Sequence, residues 1–240
     1  MSTDVDIPET IEFRNEVFSL RQLLAQAGID AAEQKAIEQL QQMVVAELHH
    51  RLKNTIATVL AITSQSLRSA ETIEQGRRAI ESRLLALSRA HDLLLKRNWT
   101  SSPIIEIIQR AIEPYAANAN ARFVIEGADF DVVPVAVLAI AMTINELCTN
   151  AVKYGALSVE KGQIEICWTI DEDLQRFRLK WREMNGPAVQ TPARRGFGTS
   201  LIEHGLPGNL KGKAQLKYVP DGVICEFDVP VASVRVANQQ

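Results

Sequence analysis

The sequence predicts an α + α/β protein, a helical hairpin followed by an α/β sandwich. Three observations predict it. Up to about Asn98 the chain shows helical periodicity, interrupted by only two glycines, Gly28 and Gly76. From Trp99 onward glycines, prolines and alternating strand-like runs take over. The apolar content is 46% but aromatics are only 5%, an aliphatic bias that suits helix seams and sheet–helix layers. The expected organisation is a helical leader over 1–29, a helical hairpin over 30–98, a second domain over 99–235 and a tail over 236–240.

Residues 10–27 predict a first helix, with Ile11, Phe18, Leu20, Leu23 and Leu24 as its apolar positions and Gly28 as the glycine that ends it. Asp30 followed by Glu33 has the form of a capping box and predicts a new helix start. Beyond it Ile37, Leu40, Val44, Leu48, Leu52, Ile56, Val59 and Ile62 recur at spacings of three and four, one stripe on a helix from about 30 to 68. At about 1.5 Å per residue such a helix is roughly 60 Å long and needs a partner along its length. Ile73, Ile80, Leu84, Leu87, His91 and Leu94 form a second stripe, so the two helices fold back as a hairpin. Two stripes leave that hairpin partly uncovered, which implies dimerisation or docking onto another domain.

In the second half Pro134 suits the first turn of a helix that Val137, Leu138, Met142, Ile144 and Leu147 carry on to Gly155. Gln163–Ile170 and Arg176–Arg182 alternate as strands, and Arg122–Glu126 reads as an edge strand. Ala214–Val219 and Val223–Val229 flank Pro220-Asp221-Gly222 and predict a terminal hairpin. Helices then cover one face of a mixed sheet.

Composition excludes several function classes. Lys plus Arg is 26, Asp plus Glu is 29 and the net charge is −3, so there is no basic footprint and no nucleic-acid partner is expected. The longest apolar stretch, Val132 to Ile144, contains Pro134 and falls short of the roughly 20 residues of a membrane helix, so no membrane span is expected. The acidic, polar N-terminus has no signal-peptide pattern. Three dispersed cysteines, Cys148, Cys167 and Cys225, predict reduced thiols and a cytoplasmic location.

Four segments carry chemistry. In Glu47-Leu-His-His-Arg-Leu-Lys-Asn54, His50 lies about 200° around the helix from Leu48, away from the apolar stripe, with Arg51 and Lys53 beside it. An exposed imidazole among cations can attack an anionic phosphoryl donor, whereas a charged helix face is usually only solvated. In Asn145-Glu-Leu-Cys-Thr-Asn-Ala-Val-Lys-Tyr-Gly155, the residues Glu146, Asn150, Lys153 and Tyr154 share one face. A carboxylate and a carboxamide are hard oxygen ligands suited to Mg2+, and a polar helix end is the plainer alternative. In Trp181-Arg-Glu-Met-Asn-Gly-Pro187 the acid Glu183 could accept from a purine amino group, with Gly186 allowing close backbone approach, and an ordinary strand exit with an interfacial Trp is the plainer alternative. Arg194-Arg-Gly-Phe-Gly-Thr-Ser-Leu-Ile-Glu203 is a glycine-punctuated loop opening a helix, a pattern that favours phosphate.

In this order the four segments resemble the sensor histidine kinases of bacterial two-component systems, most closely the HWE family with its HRxKN-type box. ELHHRLKN resembles the phosphoacceptor box and SRLLALSRAHDLLLKRNW the second dimerisation helix. NELCTNAVKYGALS resembles the N-box, WREMNGP the Trp-x-Glu box and RRGFGTSLIE the glycine-rich box, over about residues 43–230. Asn145 stands where the family has its naming His, and His49 where it often has Asn.

The resemblance implies a dimerisation and phosphoacceptor hairpin joined to a GHKL (Bergerat-type) ATP-binding sandwich. It implies His50 as phosphoacceptor, Asn150 and Glu146 at Mg2+, and Lys153 and Tyr154 near the phosphates of ATP. It further implies Glu183 at the adenine amino group, and Arg194, Arg195, Gly196, Gly198 and Thr199 along the phosphate tail. The expected partners are a response regulator receiver domain, a separate sensor or upstream input protein, and a second copy through the hairpin. The rival readings are a phosphotransfer adaptor with a degenerate ATP domain, and an ATP-gated switch without histidine phosphorylation. Arg51 follows His50 where many histidine kinases have an acid, so the sequence names no base for His50.

Overall fold

The computed structural model describes residues 8–116, 122–189, 202, 210–220 and 222–236. The chain divides into two compact units, Met1–Val59 and Leu60–Gln240.

Helix α1 runs from Pro8 to Ser69, 62 residues without a break. The expected stop at Gly28 and restart at Asp30 are therefore absent. A mid-helix glycine costs about 1 kcal/mol relative to alanine but keeps its N–H and clashes with nothing, so it weakens a helix without ending it. In the first unit the expected stripe is solvent-exposed, with Ile37, Leu40, Val44, Leu48, Leu52 and Ile56 all 45% accessible or more. Among the described residues the unit supplies no second element to cover it.

The second unit starts with the last turns of α1, where Ile62 and Ser66 are buried. Helix α2, Ile73–Lys96, returns after a short turn. Thr72 Oγ1 accepts from the Gln75 N–H at 3.2 Å while Gln75 Oε1 accepts from the Glu71 N–H at 3.1 Å, which satisfies two otherwise orphaned donors. Of the stripe expected on α2, Leu87 and Leu94 are buried but Ile73 is 90% exposed. The buried face is shifted toward Ala86, Ala90 and Leu93, where the two alanines allow close packing of α2 on the rest of the unit. Asn98 and Trp99 end the helix in left-handed conformations, φ 50° and 60°. The Trp99 N–H returns to the Leu94 carbonyl at 2.7 Å. His91 packs edge-on against Trp99, 5.1 Å between centroids, and burial pushes its imidazole below the usual range against the opposing charge of Asp92.

Strand β1, Ser102–Pro103, leads into helix α3, Ile104–Ala116, an element absent from the sequence reading. Strands β2, Phe123–Glu126, and β3, Asp131–Val132, precede helix α4, Pro134–Lys153. Pro134 opens α4 as expected, with Val133 as its N-cap. Strands β4, Gln163–Asp171, β5, Arg176–Met184, β6, Lys213–Val219, and β7, Gly222–Pro230, complete a sheet of order β2-β4-β5-β7-β6. The pair β2–β4 is parallel and the other pairs are antiparallel, so the sheet is mixed, with β2 at its edge.

Alternation along the central strands sends Ile164, Ile166, Trp168, Phe177, Leu179, Trp181, Phe227 and Val229 to one buried face. They meet Val137, Ile140, Ile144, Leu147 and Ala151 of α4 and the isoleucines of α3 in one core. Each such aliphatic side chain contributes about 1.5–3 kcal/mol by burial. Helix α4, at 20 residues and a mean hydropathy of 1.6 in its most apolar window, is long and apolar enough to cross a membrane, although its apolar stretch Val132–Ile144 is shorter than a span. That window is 67% buried, which is what a core helix requires.

Candidate functional site

The end of β5 meets the segment that follows α4 through one side chain, Glu183. Glu183 follows Phe177, Leu179 and Trp181 on the inward face of β5 and is 2% exposed. A carboxylate so placed needs donors. Its Oε2 accepts from the Ala156 N–H at 2.8 Å, and its Oε1 lies 3.4 Å from the donating Trp181 Nε1. Burial raises the Glu183 pKa, and those two donors oppose the rise. Two glycines make room for it. A Cβ on Gly155 would lie 2.0 Å from Glu183 Oε2, and one on Gly222 would lie 2.6 Å from Glu183 Cβ. Gly155 was expected as the end of α4. The helix stops at Lys153, and Gly155 has an ordinary negative φ of −116°, so close approach to Glu183 is the reason for glycine there. Asn185 takes a left-handed φ of 55° ahead of half-buried Gly186, which turns the chain out of β5.

Along α4 the four polar residues have different surroundings. Asn150 is half-buried, and Lys153 and Tyr154 are exposed at the helix end. A carboxamide, an ammonium and a phenol at this end match the donor set that a polyphosphate and Mg2+ require. Glu146, one turn earlier, is 3% exposed and is held by Arg83 of α2. Arg83 Nε and Nη2 donate to its two oxygens at 2.7 and 2.8 Å, and Arg83 Nη1 donates to Ser66 Oγ at 2.6 Å. Asn145 is buried beside it and its Oδ1 accepts from the Tyr115 hydroxyl at 3.0 Å. The structure thus brings Glu183 to the end of α4 and takes Glu146 to the hairpin helix. Cys148, on the same helix, is fully buried, and desolvation with the nearby Glu183 charge raises its thiol pKa.

In the first unit His50 and His49 are exposed on α1, and so is Leu48 at 59%. Exposure therefore does not single out His50. Its contact does: Asn54 Nδ2 stands 3.4 Å from His50 Nδ1, one turn away. With the amide turned over, Asn54 Oδ1 would accept from Nδ1–H and leave the Nε2 lone pair outward. Arg51 pairs with Glu47 at 2.7 Å. Arg194, Arg195, Gly196, Gly198 and Thr199 lie outside the described residues.

Arg83, Ser66 and Tyr115 were not singled out from the sequence. Arg83 and Glu146 are 63 residues apart and no local spacing links them. Asn54 was legible as the fourth residue after His50, the spacing of helical neighbours.

Residues 47–129 match the family described as HWE histidine kinase. The blue-light-activated histidine kinase of Brucella ovis is 40% identical over 204 residues, 84% of this chain and 42% of that protein. Its counterpart in Brucella anthropi is 36% identical over 207 residues, 85% of this chain and again 42% of the relative. The chain therefore spans less than half the length of these relatives. Among solved structures, the histidine kinase domain of the Erythrobacter litoralis EL346 blue-light activated histidine kinase matches with a TM-score of 0.56 at 16% identity, covering 78% of this chain and 90% of that one. The longer structure of that kinase gives a TM-score of 0.58 at 17% identity, over 78% of this chain and 58% of that one. At such identities the shared property is the fold, a helical region joined to a GHKL-type mixed α/β domain. The sequence kinship and the shared fold agree: over residues 47–129 this chain matches the HWE histidine kinases.

Proposed function

We propose that the chain is an ATP-dependent protein-histidine kinase that phosphorylates His50 and passes the phosphoryl group to an aspartate on a separate response regulator receiver domain. The observation that carries the reading is the join at Glu183. A buried acid at the end of β5, tied to the backbone just after α4, sets a hydrogen-bonding carboxylate beside the polar end of that helix. Among the described residues Glu183 Oε1 has only the long Trp181 contact, and it retains capacity to accept from an adenine amino group. Asn150 would hold Mg2+, with Glu146 as a further oxygen ligand, and Lys153 and Tyr154 would face the phosphates. The same reading assigns Arg194, Arg195, Gly196, Gly198 and Thr199 to the phosphate tail and Gly186 to the adenine side. Bound Mg2+ neutralises charge on the transferring group, and the protein's remaining task is positioning. At His50, Asn54 orients the ring so that one nitrogen presents its lone pair. That nitrogen bonds phosphorus as the bond to the ADP oxygen breaks.

The exposed aliphatic stripe on α1 supports a homodimer through the hairpin, because a row of large apolar side chains in water favours a partner. An upstream sensor or input protein and a cytoplasmic location belong to the same proposal.

Incubation with γ-labelled ATP tests it. The expected result is an acid-labile label lost in His50→Gln, kept in His49→Gln and abolished in Asn150→Ala with the fold retained. ATP hydrolysis without protein label would mean an ATP-gated switch instead, and no nucleotide binding would mean a docking adaptor.

A further inference from the structure

The Arg83–Glu146 pair occupies the carboxylate that the reading above gives to Mg2+. Arg83 is 8% exposed and Glu146 3%, so both charges are withdrawn from water. Both carboxylate oxygens are engaged by the two-pronged guanidinium, and its third nitrogen is tied to Ser66, which is itself fully buried. The pair joins the end of α1, helix α2 and helix α4 at one point. Glu146 lies one helical turn from Asn150, so a carboxylate within reach of the metal ligand is committed to the hairpin.

The surrounding contact is incompletely satisfied. Arg89 Nη2 reaches Asn145 Oδ1 only at 3.4 Å, and Arg89 Nε and Asn145 Nδ2 are buried without a hydrogen-bond partner among the described residues. Buried donors are rarely left orphaned in native structures. A buried ion pair is itself close to break-even, because desolvation cancels most of the attraction. A competing cation of higher charge can therefore displace one partner. A divalent ion prefers hard carboxylate oxygen, the group Arg83 now occupies.

Resting on the nucleotide site assigned under Proposed function, we propose that Arg83 competes with Mg2+ for Glu146, so that α2 holds α4 in a state of low affinity for the metal–nucleotide complex. Opening of the pair and binding of the complex are then linked, and linkage is reciprocal: whatever weakens Arg83's hold tightens binding. Arg83 is a positioning residue in this scheme and touches no substrate.

The test is equilibrium binding of a non-hydrolysable ATP analogue, titrated at several Mg2+ concentrations, to the full chain and its variants. Arg83→Gln is expected to tighten binding by about five-fold or more and to lower the Mg2+ concentration needed for half-saturation. Arg83→Lys, which keeps the charge but cannot fork, is expected between wild type and Arg83→Gln. In a Glu146→Gln background the Arg83→Gln change should have no effect, since the shared partner is gone. Hydrogen exchange in wild type should show α2 amides near Arg83 losing protection when the complex binds. Weaker or unchanged binding in Arg83→Gln, or the same tightening in the Glu146→Gln background, overturns the proposal. If Arg83→Gln does not fold, Ser66→Ala removes only the third arm and must shift affinity in the same direction; a null or opposite shift is equally decisive. Wild-type protein that binds no analogue, or Asn150→Ala that binds it normally, would instead refute the nucleotide site.

Discussion

Adding one methyl group at Gly155 tests the join between α4 and β5. A Cβ there would lie 2.0 Å from Glu183 Oε2, 2.8 Å from Glu183 Cδ and 3.0 Å from Ala151 Cα. The first two atoms belong to the carboxylate that accepts the Ala156 N–H, and the third is backbone of α4 and cannot yield without moving the helix. Overpacking a close-packed site costs about 1–3 kcal/mol. Losing a hydrogen bond to a charged acceptor costs about 1.5–3 kcal/mol. One displacement causes both losses, so they overlap, and about 2–4 kcal/mol is expected for Gly155→Ala. For a protein of this size that lowers Tm by roughly 5–15 °C. Thermal unfolding by circular dichroism reads the shift. Gly28→Ala is the control, because nothing beyond its chain neighbours and the local helix backbone lies within 4 Å of its added methyl, and it should raise helix stability by up to about 1 kcal/mol. A Gly155→Ala protein melting within about 2 °C of wild type would sink the close-approach account of this glycine.

Two further outcomes follow from the same region. Burial raises the Glu183 pKa above its unfolded value, so its contribution to stability is greatest below the normal carboxylate range and declines as pH rises through the folded value. Glu183→Gln removes this dependence, and the Tm of wild type minus that of the variant should fall between pH 4 and pH 7; a flat or rising difference contradicts the burial assignment. Arg122 donates to the carbonyls of Gly162, Ala156 and Val159 at 2.7, 2.7 and 2.6 Å, clamping the segment after α4. Arg122→Ala is expected to cost about 2–4 kcal/mol in urea unfolding, with Arg122→Lys recovering only a minor part because an ammonium lacks the fork; full recovery by lysine would show that charge alone matters.

What could be read from the sequence was local. Pro134 at the head of α4, the alternation of β4 and β5, and the terminal hairpin each rest on neighbours within a few residues. Glu183 itself falls on the period-two register of Phe177, Leu179 and Trp181, so its inward direction was implicit in the strand. Helix α3 escaped notice although Ile104, Ile107, Ile108, Ala111 and Ile112 carry a helical spacing, because Pro114 and the doubled isoleucines blur the period. The continuity of α1 escaped for the opposite reason: strong local punctuation at Gly28 and Asp30 has too little energy to break a helix. Arg83 with Glu146 was out of reach, since pairing across 63 residues is a product of tertiary packing.

The unbroken course of α1 has a consequence for timing and direction. No hinge lies between Pro8 and His50, so a disturbance at the early turns travels as torque instead of being absorbed. Each residue inserted near Gly28 would swing His50 about 100° around the axis, whereas seven would return it to within roughly 20° of its starting azimuth. What reaches the imidazole along this rod is a phase.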